Sequence, residues 1–288
     1  MKKTIALCLF CCTPAVILAG PATLQANQLL GTSENAGQCL DLSLGSEDFG
    51  GINENSWRQW LGSSSLAFAT NPQMLAQETT DDGRRSLRQK LVPSSKGSSR
   101  VMARASLQPA STYQLKQSIY LEDGFDWGGK HEGGKLGFGL SGGSSPTGGH
   151  QRTDGFSTRF MWRGNGDGSA HIAVYTYSAD RTNQAYGTDL PLKGFSVPVG
   201  EWFELTLEVK VNSATDRADG SVRAWANGDL YLEENDILWQ SSGGDPSVQH
   251  LMFSTFYGGS DSSWSPDETT YIRFADICWA PVVDTEEF

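Results

Sequence analysis

Apolar and polar residues alternate along seven stretches of this chain: 113–121, 155–162, 170–177, 202–211, 221–225, 250–257 and 270–279. A period of two is the mark of a strand with one buried face. The stretches are separated by turn signals, among them Gly142-Gly143, Gly148-Gly149, Gly164-Asn165-Gly166, Asp219-Gly220, Asn227-Gly228 and Gly243-Gly244. No long helical period interrupts them. This rhythm predicts an all-β protein, an antiparallel β-sandwich of jelly-roll type with a concave substrate groove. Residues 27–64 are rich in Gly, Ser and Asn without a clear period, and read as an extended lead-in packed over a sheet edge; residues 65–288 read as one domain.

Parity sorts two central strands. In 155–163, Phe156, Phe160 and Trp162 share one face, while Ser157, Arg159, Met161 and Arg163 share the other. In 170–177, Ile172 and Val174 point one way, and His171, Tyr175 and Tyr177 the other. Each strand therefore has an apolar back and a polar front.

Composition and charge refine this picture. Glycine at 33 of 288 residues and tryptophan at 9 fit a turn-rich β protein with aromatic surfaces. The first residues, Met1-Lys2-Lys3 and an apolar run over 4–19, have the form of a secretory leader ending near residue 26, too short and too early for a membrane span. No other segment qualifies as one. Cys8, Cys11 and Cys12 would leave with the leader. Cys39 and Cys278 then remain, either as one disulfide joining the two ends, as an oxidising compartment allows, or as two separately buried thiols. The net charge is −11, and −13 without Lys2 and Lys3. Such a protein is a poor partner for nucleic acid, and a polyanionic substrate would require cations gathered locally.

Lys135, Ser157, Arg159, Tyr175 and Tyr177 are the candidate chemistry: cations beside phenols, suited to removing a proton next to a carboxylate. Gly133-Gly134-Lys135-Leu136, Gly155-Phe156-Ser157-Thr158-Arg159-Phe160-Met161-Trp162-Arg163, Tyr175-Thr176-Tyr177 and Phe253-Ser254-Thr255-Phe256-Tyr257-Gly258-Gly259 occur in that order. In them the chain resembles polysaccharide lyase family 14, over about residues 65–281. The resemblance implies a jelly-roll alginate or glucuronan lyase whose active-site lysine, serine, arginine and tyrosine pair fall on those five positions. The stretch 134–140 departs from the related Gly-Lys-Leu-Pro-Gly-Leu form, lacking the proline and carrying extra residues.

Such a lyase removes the C5 proton of a uronate and expels the O4 oxygen, leaving an unsaturated sugar. Lys135 and Arg159 are expected to neutralise the carboxylate, Arg159 in bidentate fashion. Tyr175 and Tyr177 are expected to carry the proton, with base and acid unassigned between them, and Ser157 to position the sugar. His171, Arg163 and Trp225 are candidate substrate-binding residues; for His171 and Trp225 a structural role is the alternative. Lys116, Gln117 and Arg100 are further candidates for the groove.

Several chemistries lack their residues. There is no Glu-x-Asp-x-x-Glu strand for paired-carboxylate hydrolysis, no Gln-Ile-His motif of another lyase family, no Ser-His-Asp pattern and no zinc-ligand spacing. The expectation is therefore a secreted lyase, extracellular or periplasmic, acting on mannuronate-rich alginate or on glucuronan, with neither cofactor nor catalytic metal. A non-catalytic carbohydrate-binding jelly roll is the competing class.

Overall fold

The computed structural model describes residues 37–283, apart from 44, 46, 63, 64 and 182–184. The expected leader, residues 1–26, lies outside the described residues. In chain order the strands are β1 (Gln38–Cys39), β2 (Ser65–Thr70), β3 (Leu75–Thr79), β4 (Arg85–Leu91), β5 (Pro93–Ser94), β6 (Gly97–Ser98), β7 (Val101–Ala110), β8 (Thr112–Leu121) and β9 (Gly133–Gly143). They continue as β10 (Gly155–Gly164), β11 (Ala170–Tyr177), β12 (Thr188–Pro191), β13 (Trp202–Lys210), β14 (Gly220–Ala226), β15 (Asp229–Ile237), β16 (Val248–Tyr257) and β17 (Thr270–Pro281).

Two antiparallel sheets carry the fold. One runs β15-β14-β13-β8-β17-β4-β3, with β1 paired to β17; the other runs β12-β11-β10-β9-β16-β7-β2. Their inner faces share one apolar core. Leu115, Ile119 and Leu121 of β8 supply it from the first sheet, and Phe156, Phe160, Trp162, Ile172 and Val174 from the second. All of these are 0 % exposed. The sandwich and the parity of β10 and β11 are thus as the alternation requires.

The stretch before β2 differs from the extended lead-in. Its described part holds α1 (Glu54–Leu61), started by Asn53, whose side chain accepts from the Asn55 and Ser56 amides while Ser56 reaches back to Asn53. Trp57, Trp60 and Leu61 fall at i, i+3 and i+4, the spacing of one helix face. Trp57 and Trp60 are buried, and Trp57 packs 5.4 Å from Phe253 and 6.4 Å from Phe138. About two turns of amphipathic pattern carry too little period to stand out, but the tryptophans enter the main core.

Cys39 and Cys278 are directly opposed in the β1–β17 pair and form a disulfide. Of the two alternatives the sequence leaves open, it is the bond that forms. It closes a chain separation of 239 residues, so the N-terminal part of the described chain is tied to the last strand.

Candidate functional site

The outer face of the β12–β2 sheet brings the candidate residues together through register. Tyr175 lies opposite Arg159, Tyr177 opposite Ser157, and Met161 opposite Lys135. Parity puts Lys135 on this face, but a regular ladder would place it further along β10. Between Arg159 and Phe160 the β9–β10 ladder skips, because Gly139 faces Arg159 and Leu136 already faces Phe160. Two extra residues, Gly137 and Phe138, bulge from β9. Were both paired in a regular ladder, Lys135 would sit opposite Arg163, two residues, or about 7 Å, further along β10. The bulge therefore absorbs the additional residues of 134–140 while Lys135 stays opposite Met161, beside Tyr175.

That bulge is braced from behind. Gln117, on the inner face of β8 and 0 % exposed, accepts from the Phe138 amide at 2.9 Å and donates to the Phe138 carbonyl at 3.2 Å. Thr255 Oγ1 accepts from the Gly137 amide, and Gln89, also fully buried, donates to the Thr255 carbonyl. Gly137 has φ +74°, and a Cβ there would lie 2.2 Å from Gln117 Oε1. Only glycine fits. Gln117 is thus between the sheets rather than in the groove. Lys116 faces the outside of the other sheet, paired with Glu204.

Arg159 is the unusual charge. It is 4 % exposed, yet no carboxylate among the described residues pairs with it. Its bonds go to hydroxyls, Nη2 to Ser157 Oγ at 3.0 Å and Nη1 to Ser254 Oγ at 3.3 Å, and its Nε is unbonded. Burial alone pushes its pKa down, which the two neighbouring phenols partly oppose. An arginine so placed is incomplete without an anion. Ser157 is fully buried and donates to the Pro146 carbonyl, so it anchors Arg159 where a sugar contact was expected.

The two phenols are enclosed as well. Their oxygens are 3.3 Å apart; that of Tyr175 accepts from the Gly187 amide and that of Tyr177 from the Gly149 amide, each at 2.9 Å. A Cβ at Gly187 would lie 2.9 Å from atoms of both rings, so the loop approaches this closely only because it has no side chain there. Accepting from an amide leaves each phenol its proton to donate, and one of the two is donated within the Tyr175–Tyr177 pair. Burial, and the contact with Tyr177, raise the pKa of Tyr175 far above that of an ordinary phenol. Tyr177 is 1 % exposed and Tyr175 6 %.

Lys135 shows the opposite shift. Its ammonium lies 5.4 Å from the centre of the Tyr175 ring and 5.2 Å from that of Phe256. Desolvation, then the charges of Arg159, Arg163 and Arg100, lower its pKa to about 7, against a small opposing pull from Asp189. Near neutral pH much of it is a free amine.

The remaining candidates divide. Arg163 flanks Tyr175, with its guanidinium 5.8 Å from the ring centre, but its fork is taken by Asp189 at 2.9 and 3.1 Å. His171 is opposite Arg163 on the same face, bonded to Asn165. Arg100 also reaches this face, over the Phe256 ring at 4.7 Å. Trp225 does not. It lies on β14 of the opposite sheet, alternating with the buried Val222, Ala224 and Ala226, so it faces outward on the wrong side of the sandwich for this site. Parity placed it beside Arg223 correctly, yet could not tell which sheet the strand joins.

The profile of the polysaccharide lyase 14 family matches residues 86–277. No curated protein matches the chain. Among solved structures, alginate lyase Aly36B is 21 % identical with a TM-score of 0.71, covering 88 % of this chain and 98 % of its own. The marine PL-14 alginate lyase from Aplysia kurodai is also 21 % identical, with a TM-score of 0.63 and coverage of 82 % and 97 %. The endo-β-1,4-glucuronan lyase from the fungus Trichoderma reesei is 12 % identical, with a TM-score of 0.52 and coverage of 83 % and 95 %. Variants of Aly36B have been solved with an alginate trisaccharide and tetrasaccharide. At these identities the likeness speaks for the shared jelly-roll sandwich.

Proposed function

The chain belongs to the polysaccharide lyase 14 family, and from that premise we propose that it is a secreted lyase cleaving 1,4-linked polyuronates by β-elimination, mannuronate-rich alginate foremost and glucuronan next. The observation that carries this reading is Arg159, buried without an acidic partner between two phenols and a lysine of lowered pKa. A uronate carboxylate supplies the missing charge, and bonding to the guanidinium withdraws electrons from C5.

The surroundings of Lys135 and Tyr175 support a different division of roles from the one expected, with Lys135 as base and Tyr175 as acid. Tyr175, held protonated by burial, is unfit to start as a base but suited to give up a proton to a leaving oxygen. Lys135, partly a free amine near neutral pH, takes the C5 proton. The C5–H electrons become the C4=C5 double bond, the C4–O4 bond breaks, and O4 receives the Tyr175 proton. Ammonium and phenolate then exchange the proton to restore the starting state. Tyr177 and the Gly187 amide hold the Tyr175 oxygen in place.

Both proton carriers project from one sheet face. In mannuronate and glucuronate the C5 hydrogen and O4 lie on the same side of the ring, so one face serves both transfers. In guluronate they lie on opposite sides. This supports the ranking of mannuronate and glucuronan over guluronate blocks. Export is supported by the form of residues 1–26 and by the Cys39–Cys278 bond. Among the described residues no helix is long and apolar enough to cross a membrane.

Incubation with polymannuronate, polyguluronate and glucuronan, following the ultraviolet absorbance of the new double bond, tests the proposal. Absorbance should rise with the first and third. A flat trace on every polymer, with binding retained, would make the protein a carbohydrate-binding module instead.

A further inference from the structure

Register carries a second arginine into line with Arg159. Across the sheet the partners run Tyr175, Arg159, Gly139, Met252, Arg104 and Phe68, on β11, β10, β9, β16, β7 and β2. Directly opposed residues share a face, so Arg104 and Phe68 lie on the same surface as the active site. Three strand spacings, about 14 Å, separate Arg104 from Arg159. Like Arg159, Arg104 has no carboxylate partner among the described residues and has an unbonded Nε. Other arginines of this acidic protein, such as Arg88, Arg163 and Arg223, are paired with carboxylates.

The surroundings of Arg104 have the make-up of a sugar-acid site. Its guanidinium lies 5.5 Å from the centre of the Phe68 ring, and Phe68 is 39 % exposed, a large apolar face open to solvent on an edge strand. His250 projects from β16 opposite Ser141, bonded through Nδ1 to Ser145 Oγ, and feels the Arg104 charge. Met252, between the two arginines, offers an apolar floor. An aromatic platform, a guanidinium and an imidazole together match a pyranose ring bearing a carboxylate.

We propose that Arg104, with Phe68 and His250, forms a second carboxylate-binding subsite that holds a non-reacting uronate of the same polysaccharide chain. It rests on the reading of Arg159 as the carboxylate site. The spacing is too great for one sugar ring to touch both arginines, so only a chain long enough to cross β9 and β16 gains from the second. The consequence is a preference for long substrates, created at a distance from the chemistry.

Calorimetric binding to the Tyr175→Phe protein, which blocks turnover, tests this with polymannuronate and with mannuronate disaccharide. Adding Arg104→Gln should weaken polymer binding about 10- to 100-fold, the worth of one charge-assisted contact, and flatten its salt dependence. Disaccharide binding should change less than about twofold by the same arithmetic. Phe68→Ala should lower polymer affinity in the same selective way. Equal losses for both ligands, no loss for either, or no polymer binding before Arg104 is replaced would each overturn the subsite. The lyase reading is judged separately, from the absorbance assay on the wild-type protein.

Discussion

Replacing Gln117 by leucine asks whether the bulge in β9 sets the position of Lys135. Leucine suits a site between Leu115 and Ile119 on the inner face of β8, so the change removes an amide without opening a large cavity. It strands the Phe138 peptide, whose amide and carbonyl both bond to Gln117. Each buried backbone group left unpaired costs about 1–3 kcal/mol, or about 2–6 kcal/mol for the two. Burying a leucine side chain in place of the amide returns about 1.5–3 kcal/mol, so mid-range values leave a net loss of about 2 kcal/mol. For a domain of this size that lowers Tm by about 2–4 °C per kcal/mol.

The kinetic effect should be larger than the stability loss implies. The bulge moves Lys135 by two residues along β10, and even about 1 Å of relaxation at a base can cost about 100-fold. Gln117→Leu should therefore lower kcat about 10- to 100-fold at a temperature well below its Tm, with KM for the polymer changed less. The acid limb of its pH profile should also move up as Lys135 relaxes away from Arg159. A leucine variant that melts several degrees lower yet keeps wild-type kcat and pH profile would refute the bracing argument.

Tyr175→Phe should abolish turnover while sugar binding survives, whereas Tyr177→Phe, which removes only the neighbour of the reacting phenol, should leave measurable kcat; full activity in the first would remove Tyr175 from the chemistry. Activity of the wild type should rise with pH through about 7 as Lys135 sheds its proton, and Lys135→Arg, which cannot deprotonate, should be inactive across the range. The same lowered pKa means that the unfolded chain binds the extra proton between about 7 and 10.5, so this group's contribution to stability should improve as pH rises through that window; calorimetric melts of wild type and Lys135→Met across pH would show a smaller slope in the variant. Arg159→Met should raise KM and lower kcat together, since it removes a contact made before and during the reaction, and unchanged kinetics would place the carboxylate elsewhere. Reducing the Cys39–Cys278 bond should destabilise the fold by about 2–5 kcal/mol, read as a lower Tm with dithiothreitol, and an unchanged Tm would show that the bond constrains little.

Much of this molecule was legible from alternation because its central strands have one apolar and one polar face. β11 spans the same residues in pattern and in structure, and β10 extends the expected stretch by two. β9 was visible only through its motif. Glycines at 133, 134, 137, 139, 142 and 143 leave few side chains to alternate, and the bulge breaks its pairing with β10. The edge strand β15, Asp-Leu-Tyr-Leu-Glu-Glu-Asn-Asp-Ile, carries too many charges to signal a buried face. In the site, side chains were readable and backbone donors were not. The Gly149 and Gly187 amides that hold the phenols belong to loops, where no residue type announces a hydrogen bond. Arg104, His250 and Phe68 were missed for another reason, as β9 finds β16, and β16 finds β7, across more than a hundred residues of chain. Parity states which residues share a face of one strand, but not which strands lie side by side.

The same limit explains how an acidic protein can serve a polyanion. Counting charges along the chain gives −11, so a polyanion can be held only where cations are gathered locally. Charge on the folded surface is distributed differently, because ion pairs remove most arginines from the account. Arg88 and Arg273 share Glu78 and Glu122, Arg223 shares Glu208 and Glu233, and Arg163 is held by Asp189. Lys135, Arg159, Arg100 and Arg104 have no such partner among the described residues, and all four project from the outer face of one sheet. A uronate chain lying there meets cations that internal carboxylates have not neutralised, while the acidic remainder of the surface repels it elsewhere. Net charge then disfavours non-specific adsorption, and under the proposed function local charge favours the face that carries Lys135 and Tyr175.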